Sequence, residues 1–266
     1  MRFKSAVVAT LGLVAAMFVG AAGTGAAAPA ERDVKPYNRD GKSERSSGIQ
    51  TTNGNSFLEI NGAGELIYWS RPNETAGYSA QKRGTGWGQT KVITSLDSNH
   101  FIEVKPDNRL ALWTWNGFYS EQIIGTGWQN ARLLAGLDSG SFLEVNQQGE
   151  LVMWFLEGTQ LFREVIGTGW HTARHLAGLV NLAFVEVKQN GNLSQWYWDD
   201  VNLVQVPADT TGGFAKVRLM AGLDLDHWLY IDANTAQLVE YQWSEPDNAY
   251  ISKVVGVGWG NSRLLG

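Results

Sequence analysis

The sequence predicts an all-β fold: a five-bladed β-propeller with four antiparallel strands per blade, its ring closed by the C-terminal strand joining the first blade. Three observations carry that expectation. A glycine before an aromatic recurs as Gly86-Trp87, Gly127-Trp128, Gly169-Trp170, Gly213-Phe214 and Gly258-Trp259, at steps of 41, 42, 44 and 45 residues. That period belongs to blades and solenoid repeats. Each full repeat then shows four short strand signals, and the chain stops seven residues after Trp259 with only the first strand of a further blade in place.

Residues 1–30 carry Arg2 and Lys4, an apolar run from Ala6 to about Gly20, and a small-residue end at Ala28-Pro29-Ala30. This is the pattern of a secretory signal peptide cleaved after Ala30, so the protein is expected to be secreted. Residues 31–47 hold many charges and one aromatic, and read as a disordered charged tail. Residues 48–266 are assigned to the propeller as one domain, since the repeat runs through all of them.

In the third repeat, strands are expected over Ala131–Gly136, Ser141–Asn146, Glu150–Phe155 and Leu161–Ile166, with turn residues between them. Leu151, Met153 and Phe155 alternate with Val152 and Trp154, so both faces of that strand are apolar. A strand of this kind needs a sheet packed on each side, which blades around an axis provide. Four residues after each joint aromatic stands a cation, Lys91, Arg132, Arg174, Arg218 or Arg263, and twelve further on stand Glu103, Glu144, Glu186 and Tyr230. If two strands fold back about the midpoint, cation and carboxylate face each other as cross-strand pairs. The same count carried back from Glu59 makes Ser47 the counterpart of Arg263, so the chain resumes near Thr51 the pattern that Gly266 drops.

Without residues 1–30 the balance is 19 basic to 26 acidic residues, a sign that suits neither nucleic acid nor anionic lipid. No later run is long and apolar enough to insert into a membrane. No cysteine is present, and His100, His171, His175 and His227 form no metal motif. No nucleophile elbow or phosphate loop occurs, and near-symmetric repeats favour repeated binding over one asymmetric catalytic constellation. The chain is therefore read as a non-enzyme and a monomer, with no cofactor and no metal.

Five repeats of this length with Gly-x-Gly-aromatic joints (Gly84-Thr85-Gly86-Trp87, Gly125-Thr126-Gly127-Trp128, Gly167-Thr168-Gly169-Trp170, Gly256-Val257-Gly258-Trp259, and the variant Thr211-Gly212-Gly213-Phe214) resemble tachylectin-type five-bladed propellers. The resemblance covers nearly all of residues 48–266. It implies a multivalent lectin for N-acetylated amino sugars, with one site per blade and glycans bearing N-acetylhexosamine as partners. The family's paired glycines before the aromatic survive only in the fourth joint, and its Asp-Asn-Trp signature has its nearest match in Asp247-Asn248-Ala249-Tyr250.

Sugar sites combine an aromatic face with amides and carboxylates. Candidate ligand-binding residues are therefore the joint aromatics Trp87, Trp128, Trp170 and Trp259, the turn aspartates Asp97, Asp138 and Asp224, and Asp247, Asn248 and Tyr250. A second column, Trp69, Trp113, Trp154, Trp196 and Tyr241, reads first as blade-to-blade packing, with partial exposure at a cleft as the functional alternative. Lys91, Glu103, Arg132, Glu144, Arg174, Glu186, Arg263 and Glu59 are assigned structural roles. An exported protein-interaction scaffold without sugar affinity is the competing function.

Overall fold

The structure is a computed structural model and describes residues 55–180, 182–198, 202–206, 212–244 and 249–266. The expected signal peptide, the charged tail, and Asp247 and Asn248 lie outside the described residues. In chain order the strands are β1 (Ser56–Asn61), β2 (Glu65–Ser70), β3 (Ser79–Thr85), β4 (Val92–Ser95), β5 (His100–Val104), β6 (Leu110–Trp115) and β7 (Tyr119–Gly125). There follow β8 (Ala131–Asp138), β9 (Ser141–Asn146), β10 (Leu151–Glu157), β11 (Gln160–Gly167), β12 (Ala173–Val180), β13 (Ala183–Lys188), β14 (Leu193–Trp198) and β15 (Leu203–Val206). The last are β16 (Val217–Gly222), β17 (His227–Asp232), β18 (Leu238–Ser244), β19 (Ala249–Gly256) and β20 (Ser262–Leu265).

They form five four-stranded antiparallel sheets, the blades. Four are sequential: β4 to β7, β8 to β11, β12 to β15 and β16 to β19. The first blade has the order β20-β1-β2-β3, so the final strand completes it. Glu59 lies opposite Leu265 and Ile60 opposite Leu264, while Leu58 and Gly266 exchange two backbone bonds of 2.7 and 3.0 Å. An otherwise open edge at β1 is thereby paired. At the same closure, between the first and fifth blades, Arg71 forks onto Glu240 through bonds of 2.7 and 2.5 Å, both side chains almost wholly buried. A desolvated pair of this kind fixes which surfaces meet more than it adds net stability.

The hydrophobic core is divided into five clusters, one at each seam between neighbouring blades. Trp87, for example, packs with Leu58, Ile60 and Leu66 of the first blade and Ile93 and Phe101 of the second. Trp128, Trp170, Phe214 and Trp259 take the same place at the other seams. Both-face burial explains the apolar first half of β10, where Leu151, Val152 and Met153 are all buried.

The expected pairing of cation with carboxylate is not what the register shows. Glu144 lies opposite Leu134, Glu186 opposite Leu176 and Glu103 opposite Ile93. The hairpins turn one residue later than the counted midpoint, which sets each glutamate opposite the residue two beyond the cation. In four blades a β-bulge then takes the arginine out of the ladder: the register jumps from Ala131 to Leu133, from Ala173 to His175, from Val217 to Leu219, and across Arg263 in the first blade. Each arginine is the extra residue, and a bulge re-aims its side chain. Arg132 donates to the carbonyls of Ala173 and Trp170, the latter at 2.7 Å. Arg218 binds those of Ser262 and Trp259, both at 2.6 Å. Arg263 binds those of Thr90 at 2.7 Å and Trp87 at 2.6 Å. Arg174 reaches Phe214, Ala215 and Val217 at 3.1, 2.9 and 2.7 Å. These four arginines staple each blade to the joint of the next, satisfying carbonyls at the end of a short turn. Lys91 has no such reach and binds the Asn108 side chain in its own blade.

Around the axis the blades touch backbone to backbone. A Cβ on Gly136 would collide with the Ser95 carbonyl oxygen, one on Gly178 with that of Gly136, and one on Gly222 with that of Gly178. The channel these strands enclose has about 20 Å³ free, room for roughly one water. It is a packed axis, unsuited to a ligand. Replacing Gly178 with alanine is expected to cost about 3 kcal/mol or more through overpacking. Gly77→Ala, where an added Cβ meets nothing within 4 Å, should leave the urea unfolding midpoint almost unchanged.

His175, beside the Arg174 staple, reaches the Val217 carbonyl of the next blade at 3.0 Å. Burial, helped by the Arg174 charge, lowers its pKa from 6.5 to about 4, so it is neutral and Nε2–H donates. The unfolded chain takes up the proton first, so this histidine's contribution is complete above pH 6.5 and is lost as pH falls toward 4. Chemical denaturation across that window should show a loss of up to about 3 kcal/mol attributable to this group. His175→Gln, which keeps a donor without titrating, should flatten the slope.

Candidate ligand-binding site

The joints that lead into the first four blades share one construction. In Gly-x-Gly-Trp the second glycine has positive φ, 90° at Gly86, 81° at Gly127, 82° at Gly169 and 83° at Gly258, and caps a one-turn 3-10 helix. Only glycine enters that region without strain. The first glycine lies flat against the indole: a Cβ on Gly84, Gly125, Gly167 or Gly256 would press on the ring nitrogen of Trp87, Trp128, Trp170 or Trp259. Both glycines therefore serve the tryptophan that follows. The fourth joint, with Phe214 in place of an indole, puts its positive φ of 80° at Gly212 instead.

Joint tryptophans are buried, and it is the second aromatic column that is partly open. Trp69, Trp113 and Trp154 pack on Trp259, Trp87 and Trp128 with ring centres 4.6, 4.8 and 4.8 Å apart, and Trp196 on Trp170 at 5.1 Å. Each second-column indole donates its N–H to the glutamate ten residues earlier. The bonds are Trp69 to Glu59 at 2.8 Å, Trp113 to Glu103 and Trp154 to Glu144 at 2.9 Å, and Trp196 to Glu186 at 3.1 Å. All four carboxylates are buried. The glutamate column thus serves the tryptophans, where the arginines had been its expected partners. A ten-residue Glu-to-Trp spacing, repeated four times, was the sequence signal that could have found it.

Clefts open at these places. About 390 Å³ lies beside Trp87, Trp113, Thr90, Glu103, Lys105 and Asp107. A second cleft, of about 290 Å³, is lined by Trp259, Trp69, Glu59, Ser262, Tyr78 and Gly258. The third, about 440 Å³, runs along Trp128, Trp154, Thr126, Gln160 and Phe162. Such volumes span the lower part of the small-ligand range, roughly 300–1,000 Å³. Each offers an aromatic wall and polar groups, and two expose the carboxylate directly. Among the described residues no three His, Asp or Glu side chains come together as metal ligands.

The turn aspartates do not join these clefts. They sit at the far end of the innermost strands, and along the eight residues of β8 that is roughly 25 Å from the joint. Asp97 accepts from the backbone N–H of Asn99 and His100 at 2.7 and 2.8 Å, and Asp224 from Asp226 and His227 at 2.8 and 2.9 Å. Asp138 holds Gly140 N–H at 2.7 Å, and burial raises its pKa. They are turn formers. Tyr250 also lies elsewhere, with its hydroxyl on Gln195 at 3.2 Å in the seam between the fourth and fifth blades.

The fifth blade departs as a set. Tyr230 replaces the glutamate, Tyr241 the second-column tryptophan and Phe214 the joint indole, while Trp228 stands where the others have phenylalanine. Trp228 stacks on Tyr241 at 4.6 Å, compared with 6.0 to 6.5 Å for the phenylalanine–tryptophan stacks of the other blades. This blade has an aromatic seam and, at Tyr230, no carboxylate in the column that holds the indole in the other four.

Fold and clefts together define a five-bladed β-propeller with an indole–carboxylate unit repeated in four blades. No family model matches the chain, and no curated protein does. Among solved structures, Prp20p from Saccharomyces cerevisiae, described with its binding to Gsp1p and histones, is similar at 12% identity and a TM-score of 0.42, covering 72% of this chain and 57% of that one. Yeast RCC1 (Prp20), bound to Kap60, is similar at 13% identity and a TM-score of 0.39, covering 68% and 52%. The WD40 β-propeller domain of Doa1 follows at 12% and 0.38, covering 77% and 81%. This chain spans little more than half the length of the two Prp20 chains.

Glu103→Ala would orphan both the Trp113 indole and the Thr90 hydroxyl, which reaches Glu103 at 2.7 Å. A loss of about 2 kcal/mol or more is expected in urea unfolding. Lys91→Ala should cost under about 0.5 kcal/mol; equal losses for the two would restore a cation–carboxylate pairing.

Proposed function

We propose that this chain is a secreted, multivalent carbohydrate-binding protein, a lectin for N-acetylated amino sugars, and not an enzyme. The observation that carries this reading is the repetition of a half-open indole held by a buried carboxylate, beside a cleft, in successive blades. An indole face covers the apolar side of a pyranose, and carboxylate and backbone groups take its hydroxyl and amide hydrogens. Weak sites fixed on one rigid ring gain strength together on a glycan-bearing surface. The resemblance of the joints to tachylectin-type propellers supports the same ligand class. The fifth blade, with Tyr230 for glutamate, is left out of the set.

Retention on immobilised N-acetylglucosamine, with elution by the free sugar, is the test. Titration with the sugar should also change tryptophan emission, because Trp69, Trp113 and Trp154 line the clefts. Failure to bind this or any other glycan on an array would leave a propeller scaffold for protein partners as the better reading.

A further inference from the structure

Two lysines within the ring show what the indole–carboxylate unit receives. The residue two beyond the glutamate is Lys105 in the second blade and Lys188 in the fourth. The Lys105 ammonium lies 3.8 Å from Glu103 Oε2 and 5.2 Å from the centre of the Trp113 ring, and Glu121 on the outer strand holds it at 2.8 Å. Lys188 repeats the placement more loosely, 4.0 Å from Glu186 Oε2 and 6.0 Å from the Trp196 ring. An ammonium over an indole and beside a carboxylate is attracted by both. Lys105 takes this place although Glu103 already accepts the Thr90 hydroxyl and the Trp113 N–H. A carboxylate has acceptor sites beyond those two.

In the first blade the same unit stands without its cation. Glu59 accepts the Ser262 hydroxyl at 2.5 Å and the Trp69 N–H at 2.8 Å, matching Glu103 bond for bond. Asn61 replaces the lysine, and its amide is committed to the turn between β1 and β2: it donates to Glu65 at 2.8 Å and accepts the N–H groups of Ala63 and Glu65, both at 3.0 Å. Opposite Trp69 on the outer strand is Ala80, where the second blade has Glu121. Glu59 forms no ion pair among the described residues. It lines the cleft of about 290 Å³ together with the rings of Trp69, Tyr78 and Trp259, and no cationic side chain lines that cleft. The third blade differs, because Glu144 does not line its cleft and Arg163 stands opposite Trp154.

We propose that the first-blade cleft binds a primary ammonium, the protonated 2-amino group of a hexosamine that lacks its acetyl, seated against Glu59 and Trp69 where Lys105 sits in the second blade. This goes beyond the N-acetyl reading: one cleft of the ring selects a charged amine, and Lys105 fills the equivalent place in the next. Acetylation removes the charge and with it both attractions, so the free amine is preferred roughly tenfold or more at this cleft.

Titration of the full chain with D-glucosamine hydrochloride below neutral pH, followed by NMR of the indole N–H groups, should shift Trp69 and leave Trp113 in place. N-acetyl-D-glucosamine should act on Trp69 at least about tenfold more weakly. N61K, which supplies the ammonium from within as the second and fourth blades do, should abolish the Trp69 response, while K105N should open the second cleft and add a response at Trp113. Far-UV circular dichroism checks the fold of each, and K105N decides alone if N61K does not fold. Equal action of amine and N-acetyl sugar on Trp69, a Trp69 response untouched by N61K, or a Trp113 that stays silent in K105N would overturn the proposal. The two readings are separable. An N-acetyl sugar that moves Trp113 or Trp154 while the amine leaves Trp69 still sinks the ammonium site alone; an amine that moves Trp69 while no N-acetylated sugar binds any cleft upholds that site and removes the N-acetyl reading.

Discussion

A buried carboxylate that accepts an indole N–H is the interaction on which the rest of this ring depends. Ionised oxygen pulled from water must be given hydrogen bonds, and in four blades the tryptophan ten residues on supplies one. That bond fixes the second-column ring, which in turn fixes the joint tryptophan packed on it. The joint tryptophan needs a glycine under its edge and a left-handed glycine before it, and so the Gly-x-Gly-Trp spelling follows. Where the carboxylate is lost, as at Tyr230, the aromatic set changes with it: Trp228 enters one strand, Tyr241 replaces a tryptophan and Phe214 replaces the joint indole. A chain of dependent packing choices explains that joint variation better than four separate substitutions would.

Two further constraints close the circle. Near the axis, the carbonyls of Ser95, Gly136 and Gly178 stand where side chains of the next blade would otherwise project, so the blades meet by backbone alone. Farther out, bulged arginines reach from one blade to the carbonyls of the next joint. Both are contacts between blades, so stability is distributed around the ring and rests on the first and last strands pairing. The seam after the second blade, where Lys91 replaces arginine, lacks the outer staple.

Architecture was legible because it is written as period. The joint glycines and aromatics, the strand lengths of the third repeat and the unfinished last blade all led to the observed topology, including the Ser262–Leu265 strand beside Ser56–Asn61. The partners of the charged columns were not legible, because the hairpin turns one residue past the counted midpoint, a one-residue bulge takes Arg132 out of the ladder, and no spacing announces either. Counting positions also placed the turn aspartates with the joint aromatics in one candidate set. A strand's length separates them in space, which the repeat alone does not convey. The glycine contacts at the axis went unread for a related reason: Gly136, Gly178 and Gly222 look like ordinary strand-end glycines until the neighbouring blade is in place.

Hydrogen exchange at the indole nitrogens, resolved by NMR with site-assigned tryptophans, addresses the carboxylate–indole bond most directly. Trp69, Trp113, Trp154 and Trp196 should exchange slowly although their rings are partly open, and should lose that protection when the paired glutamate is replaced. Trp87, Trp128, Trp170 and Trp259 are more buried yet have no acceptor among the described residues, and their N–H groups should respond little to the same replacements. Protection that follows burial alone, with the second column exchanging faster than the joints and indifferent to the glutamates, would contradict the bond as the organising contact.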